Sequence, residues 1–113
     1  MTTLYGISNC DTVKKARKWL QDNGIDYTFH DYKKLGIDRD SLQNWCNEFG
    51  YETLVNKRGT TWRKLEDAVK ADLDEAKAID IMSTHHSVIK RPVLVSDRKN
   101  ILGFDEDKYK SLL

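Results

Sequence analysis

The apolar residues of this chain keep two different periods, and the order in which those periods alternate constrains the fold more than any other feature. "TTLYGI" at residues 2–7 is a short apolar run of strand type. Val13, Ala16 and Leu20 follow at helical spacing with Trp19 beside them, while Lys14, Lys15, Arg17 and Lys18 take positions expected to face water. Gly24 stands where a left-handed residue can end that helix. "IDYTFHDY" then returns to a period of two through Ile25, Tyr27 and Phe29. Such a β-α-β opening implies parallel strands joined by a right-handed crossover.

Helices predominate after that. "SLQNWCNEFG" places Leu42, Trp45, Cys46 and Phe49 on one helical face and closes on Gly50. Residues 51–82 read as a loop and further helices, with Leu73, Ala76, Ile79 and Met82 as the last apolar face. "PVLV" and "NILGF", joined by a polar turn, predict a β-hairpin. "DEDKYKSLL" predicts a short final helix whose acidic first turn suits the helix dipole. The order β-α-β, helices, β-β-α suits an α/β, thioredoxin-like sheet of about residues 1–36 and 87–113, with a helical insertion over about 37–86. Pro92, the only proline, opens the third strand, where it need not donate to the ladder. No repeat or linker divides the 113 residues, which are read as one domain.

Composition removes several classes of function. Hydrophobic residues make up 39% and charged residues 33%, which separates the chain from disordered sequences. Nineteen basic and 18 acidic residues leave a net charge of +1, so no global field favours direct binding to nucleic acid. No apolar run reaches the ~20 residues of a membrane span, and "MTTLYG" lacks the basic and apolar regions of a signal peptide. The expected address is the cytoplasm, and nothing demands more than a monomer. Two cysteines, Cys10 and Cys46, are too few for a disulfide framework.

Cys46 lies inside an apolar helical stripe and reads as a packed core residue. Cys10 instead stands where the first strand gives way to the first helix, between Asn9 and Asp11. Asn9 is the expected N-cap, its side-chain oxygen accepting from the first turn. An ordinary thiol with a pKa near ~8.5 is only about 3% ionised at neutral pH. Free amides at a helix start contribute ~0.3–1 kcal/mol toward an anion, whereas moving a thiol by two pKa units takes about 2.7 kcal/mol. A cation from elsewhere is therefore required. Arg91, before Pro92, and Arg58, in "NKRGTTWR", are the candidates, and the position of strand starts beside the first βα turn favours Arg91. "CDTV" has no second sulfur, so an external thiol must close any redox cycle, and glutathione is the obvious cytoplasmic donor. His85 and His86 are adjacent and diverge, so no metal site is expected.

Five blocks in order, "LYGISNCDTVKKA", "NKRGTTWRKL", "ADLDEAKAI", "IKRPVLV" and "ILGF", together resemble the YffB-like branch of the ArsC/Spx family. The resemblance implies a thioredoxin-like domain with an inserted helical subdomain and a cis Arg91–Pro92 peptide. It implies that Cys10 is the nucleophile, that Arg91 lines an anion site and that Thr12 matches a hydroxyl of the cysteine loop. Lys14 sits where arsenate reductases carry an arginine. Their middle arginine falls at or near Asn56, with Arg58 two residues later as a substitute, and their third is replaced by Gly103 and Phe104. Their helper histidine is replaced by Gly6. An arsenate dianion needs several convergent donors, so these departures weigh against arsenate. The implied activity is that of a glutathione-dependent monothiol reductase, an oxidoreductase with no bound cofactor and glutathione as co-substrate, acting on an oxidised or oxyanion substrate. Asn9, Thr12, Lys14, Asn56, Arg58 and Pro92 are the expected binding residues, with Cys10 and Arg91 catalytic. The alternatives are an arsenate reductase and a regulator resembling Spx that binds RNA polymerase; Val13 stands where Spx-like chains carry a second cysteine.

Overall fold

The computed structural model describes residues 1–97 and 99–113, so Arg98, in the expected hairpin turn, lies outside the described residues. In chain order the elements are β1 (Thr3–Gly6), α1 (Asp11–Asp22), β2 (Thr28–Asp31), α2 (Tyr32–Leu35), α3 (Arg39–Phe49), α4 (Tyr51–Leu54), α5 (Thr60–Lys64), α6 (Asp67–Lys70) and α7 (Glu75–Thr84). A 3-10 turn (His86–Val88), β3 (Val93–Val95), β4 (Asn100–Leu102) and α8 (Glu106–Lys110) complete it. The chain forms two compact units, Met1–Leu35 with Arg91–Leu113, and Gly36–Lys90. No helix among the described residues is long and apolar enough to cross a membrane.

The first unit is built on a four-stranded sheet of order β2-β1-β3-β4. β1 runs parallel to β2 and antiparallel to β3, which pairs antiparallel with β4. The register aligns Phe29, Leu4, Leu94 and Ile101 in one row across the sheet. Alternation puts that row on one face, and Val13, Ala16 and Leu20 of α1 with Tyr109 of α8 close over it as a single buried cluster. Tyr109 is fully buried, with Trp19 and Phe104 presenting edge-on at 5.5 and 4.9 Å between ring centroids. Its hydroxyl donates to the Gly103 carbonyl at 3.4 Å. Gly103 has φ +80°, which a residue with a Cβ seldom adopts.

Three local expectations are corrected here. The second strand begins at Thr28, later than the Ile25–Phe29 alternation suggests, because Ile25 and Tyr27 pack against the core without joining the ladder. Arg17 does not face water. It is half-buried, with its guanidinium 4.2 Å from the Phe29 ring centroid and its Nε donating to the Tyr27 hydroxyl at 3.0 Å. The cap of α1 is Cys10 and not Asn9, which is exposed one residue too early to reach the first turn.

The second unit is helical. Asp38 caps α3 by accepting from the Ser41 amide at 3.0 Å, and Leu42, Trp45 and Cys46 are its buried face. Asp74 caps α7 in the same way through Lys77 at 2.8 Å. That start fixes a different face from the expected one. Ala78, Ile79, Ile81 and Met82 are buried, Ala76 is exposed, and Leu73 precedes the cap. Val55 and Ile89 form an antiparallel bridge that ties the start of the α4–α5 loop to the end of the unit.

Candidate active site

Strand β1 delivers the chain through Ile7, Ser8 and Asn9 to Cys10, which holds an extended conformation (φ −145°, ψ 123°) at the head of α1. Val13 locks this junction from beneath. It is fully buried, and a Cβ placed on Gly6 would stand 2.8 Å from its Cγ2. The close approach of strand and helix thus depends on Gly6 having no side chain, and it aims the first amides of α1 at the cysteine.

Cys10 is half-buried and in no disulfide. Burial pushes its thiol up, but the Val13 amide, a hydrogen bond and the charge of Arg91, and the Thr12 amide outweigh it, so the pKa lies below that of an ordinary thiol. The cap makes no regular side-chain hydrogen bond; the amides and guanidinium act by favouring the ionised sulfur, a stronger acceptor than the thiol. Arg91 enters from the other end of the unit, immediately before β3, and its peptide to Pro92 is cis. Pro92 is buried, and its carbonyl accepts from the Gly103 amide at 2.8 Å, coupling the arginine's strand to the turn after β4. Arg91 also acts on Tyr32, whose buried phenol is pushed up by desolvation and by Tyr5, and lowered in part by the guanidinium.

The sequence-predicted residues fall into two places. Cys10, Thr12 and Arg91 converge on the sulfur. Thr12 and Lys14 are exposed on the first turns of α1, where the Lys14 amide donates to the Cys10 carbonyl at 2.9 Å, and Asn9 is exposed beside them. Asn56 and Arg58 belong to the second unit and are joined to each other: the Asn56 side-chain oxygen accepts from the Arg58 amide at 3.1 Å. Cys46 is also in that unit, 3% exposed, with its pKa pushed up to about 11 by burial and by the Glu75 carboxylate. It is a neutral, packed thiol. Sequence reasoning missed the Tyr5–His30–Tyr32 ring cluster, in which Tyr5 and His30 lie 4.7 Å apart and Tyr5 stacks on Tyr32 at 6.3 Å. The strand register Tyr5↔His30 was the signal that could have found it.

With this geometry in view, the relationships of the chain are direct. The model of the ArsC family matches residues 5–112. A protein of Haemophilus influenzae is 46% identical over 111 residues, covering 98% of this chain and 97% of that one. The global transcriptional regulator Spx of Streptococcus pyogenes is 28% identical over 115 residues, covering all of this chain and 85% of the regulator. Among solved structures, a YffB protein superposes with a TM-score of 0.96 at 53% identity, covering 98% and 97% of the two chains. An arsenate reductase (ArsC) related protein from Brucella melitensis superposes at 0.76 with 49% identity, covering 97% and 92%.

Proposed function

The chain belongs to the ArsC family, and we propose that within it this protein is a monothiol oxidoreductase that uses glutathione. The observation that carries the reading is the lowered pKa of Cys10 against the desolvation that opposes it. A thiolate is the attacking form in thiol–disulfide exchange.

The cycle needs one protein sulfur. Cys10 thiolate attacks the glutathione sulfur of a mixed disulfide R–S–S–G; the new bond joins Cys10 to glutathione, and R–S⁻ leaves and takes a proton from water. A second glutathione, as its thiolate, attacks that glutathione sulfur, releasing oxidised glutathione and regenerating the Cys10 thiolate. R–S–S–G and one free glutathione thus become R–SH and oxidised glutathione: the incoming glutathione sulfur is oxidised as the R sulfur is reduced, and no other reductant enters. Arg91 holds the attacking sulfur in the anionic state and again when it departs as a leaving group; the Val13 and Thr12 amides do the same without reorganising. Arg91, the one guanidinium acting on the sulfur among the described residues, suits a thiolate better than a bound arsenate dianion, which calls for several charged donors. Asn9, Thr12 and Lys14, exposed on the loop and first turns that flank Cys10, are the residues assigned to the substrate in this reading.

The test is glutathione-dependent reduction of a small mixed disulfide. Cys10→Ser should remove turnover and Cys46→Ser should leave it near the wild-type rate. Equal loss in both variants would replace the monothiol cycle with an internal disulfide. Glutathione oxidation that requires arsenate would instead favour arsenate as substrate.

A further inference from the structure

Beside the cysteine loop, on the first unit alone, lies a cleft of about 360 Å³ lined by Ser8, Arg17, Phe29, Asp31, Lys34 and Leu35. It is bounded by the outer strand β2, by α1 and by α2, and its volume is that of a small-ligand site. The lining is unusual in charge. Asp31 is 8% exposed, and its Oδ1 accepts from the Lys33 amide at 2.9 Å, which leaves its other oxygen for a ligand. Arg17 is held at two points, its guanidinium 4.2 Å from the Phe29 ring centroid and its Nε donating to the Tyr27 hydroxyl, so its two terminal amino groups remain as a fork of donors. Lys34, exposed on α2, adds a second cation to the lining. Among the described residues no ion pair joins Asp31 to Arg17 or to Lys34. Two cations and a buried carboxylate, facing one cleft without neutralising each other directly, match a ligand that carries both charges: an α-carboxylate and an α-ammonium on one carbon.

The position relative to the nucleophile selects among such ligands. The register Gly6↔Asp31 puts Asp31 at the carboxyl end of the parallel pair β1–β2, the end from which the chain leaves for Cys10. Ligands of open α/β sheets gather at that end. Ser8 is two residues from Cys10, hence within about 7 Å of it along the chain. In glutathione the zwitterionic head is joined to the cysteine through the glutamyl side chain, at a separation of roughly two residue lengths, also about 7 Å.

We propose that this cleft receives the γ-glutamyl head of glutathione, its carboxylate between Arg17 and Lys34 and its ammonium against Asp31, with the thiol extended toward Cys10. The assignment rests on the glutathione reading above and adds to it the residues that choose glutathione over simpler thiols.

Calorimetric titration of the Cys10→Ser protein separates binding from chemistry. Reduced glutathione should bind, and both cysteinylglycine, which lacks the head, and N-acetylglutathione, which lacks the ammonium, should bind roughly tenfold more weakly or worse. Lys34→Met, at an exposed position that cannot disturb the core, and Asp31→Asn, which still accepts from Lys33, should each weaken glutathione by a similar factor at an unchanged melting temperature. Equal affinity for glutathione and cysteinylglycine, free glutamate binding as tightly as glutathione, no binding at all, or no effect of either substitution would each overturn the cleft assignment. The parent reading has its own arm: wild-type protein mixed with oxidised glutathione should carry a glutathione adduct on Cys10 by mass spectrometry. An adduct with binding indifferent to the head would sink the cleft alone. Head-selective binding without any adduct would sink the exchange cycle and leave the cleft standing.

Discussion

Gly6→Ala tests how the strand-to-helix junction prepares the sulfur. The added Cβ would lie 2.8 Å from Val13 Cγ2 and 3.4 Å from Cγ1, against an optimum of about 3.5–4.0 Å for carbon pairs. Val13 has no surface exposure, and a β-branched residue in a helix has one strongly preferred rotamer, so it cannot swing aside. Relief requires α1 to lift from β1. Overpacking of this kind costs about 1–3 kcal/mol, which for a chain of this size lowers the melting temperature by roughly 4–12 °C. Lifting α1 also withdraws the Val13 amide, one of the groups that lower the Cys10 pKa, so the thiol should titrate higher than in the wild type. Calorimetry and pH-dependent alkylation read the two effects on the same sample. An alanine that leaves both unchanged would refute the claim that this contact positions the helix. The same Cβ begins any larger side chain, so a histidine at this position cannot be accommodated with Val13 where it is.

Other outcomes follow from the same structure. Arg91→Met should raise the Cys10 pKa and slow its alkylation at neutral pH, because a hydrogen bond and a positive charge are lost together; an unchanged titration would remove Arg91 from the site. Cys46 is raised to about 11 in the fold, above the ~8.5 of an unfolded thiol. Above ~8.5 the unfolded chain releases this proton while the folded chain keeps it. Its contribution to stability is therefore full below that pH and falls away as the pH approaches 11. Urea denaturation of Cys46→Ala should lose this part of the alkaline decline. Tyr109→Phe should cost no more than about 0.5–1.5 kcal/mol, since the hydroxyl's bond to Gly103 is long at 3.4 Å. Tyr109→Ala, which empties the centre of the cluster under Trp19 and Phe104, should cost about 3–5 kcal/mol by the same assay.

Much of the fold was legible because apolar period and burial agree. Val13, Ala16 and Leu20, and Leu42, Trp45 and Cys46, are spaced as helices and are the buried faces of α1 and α3. The face of α7 was misread by reaching back to Leu73 and Ala76, since Asp74 is the cap and the helix cannot start before it. The Asn9 cap failed for a comparable reason: both Asn9 and Cys10 precede a helical pattern, and only the backbone decides which residue is half in the helix. Arg17 looked solvent-facing because a cation within a run of lysines carries no mark of the aromatic ring beneath it. The pairing of Cys10 with a cation from the far end of the chain could be anticipated from the topology of strand starts. The charged cleft could not, since Ser8 comes from the β1–α1 loop and Arg17, Asp31 and Lys34 from three separate elements, and none has a distinctive spacing.

The central claim concerns the protonation of one sulfur, and it is measured most directly by the ultraviolet absorbance of the thiolate as a function of pH in the Cys46→Ala protein, where Cys10 is the only thiol. The structure predicts a single titration with its midpoint below that of free cysteine, moving upward when Arg91 is replaced by methionine. A midpoint at or above that of free cysteine would contradict the account.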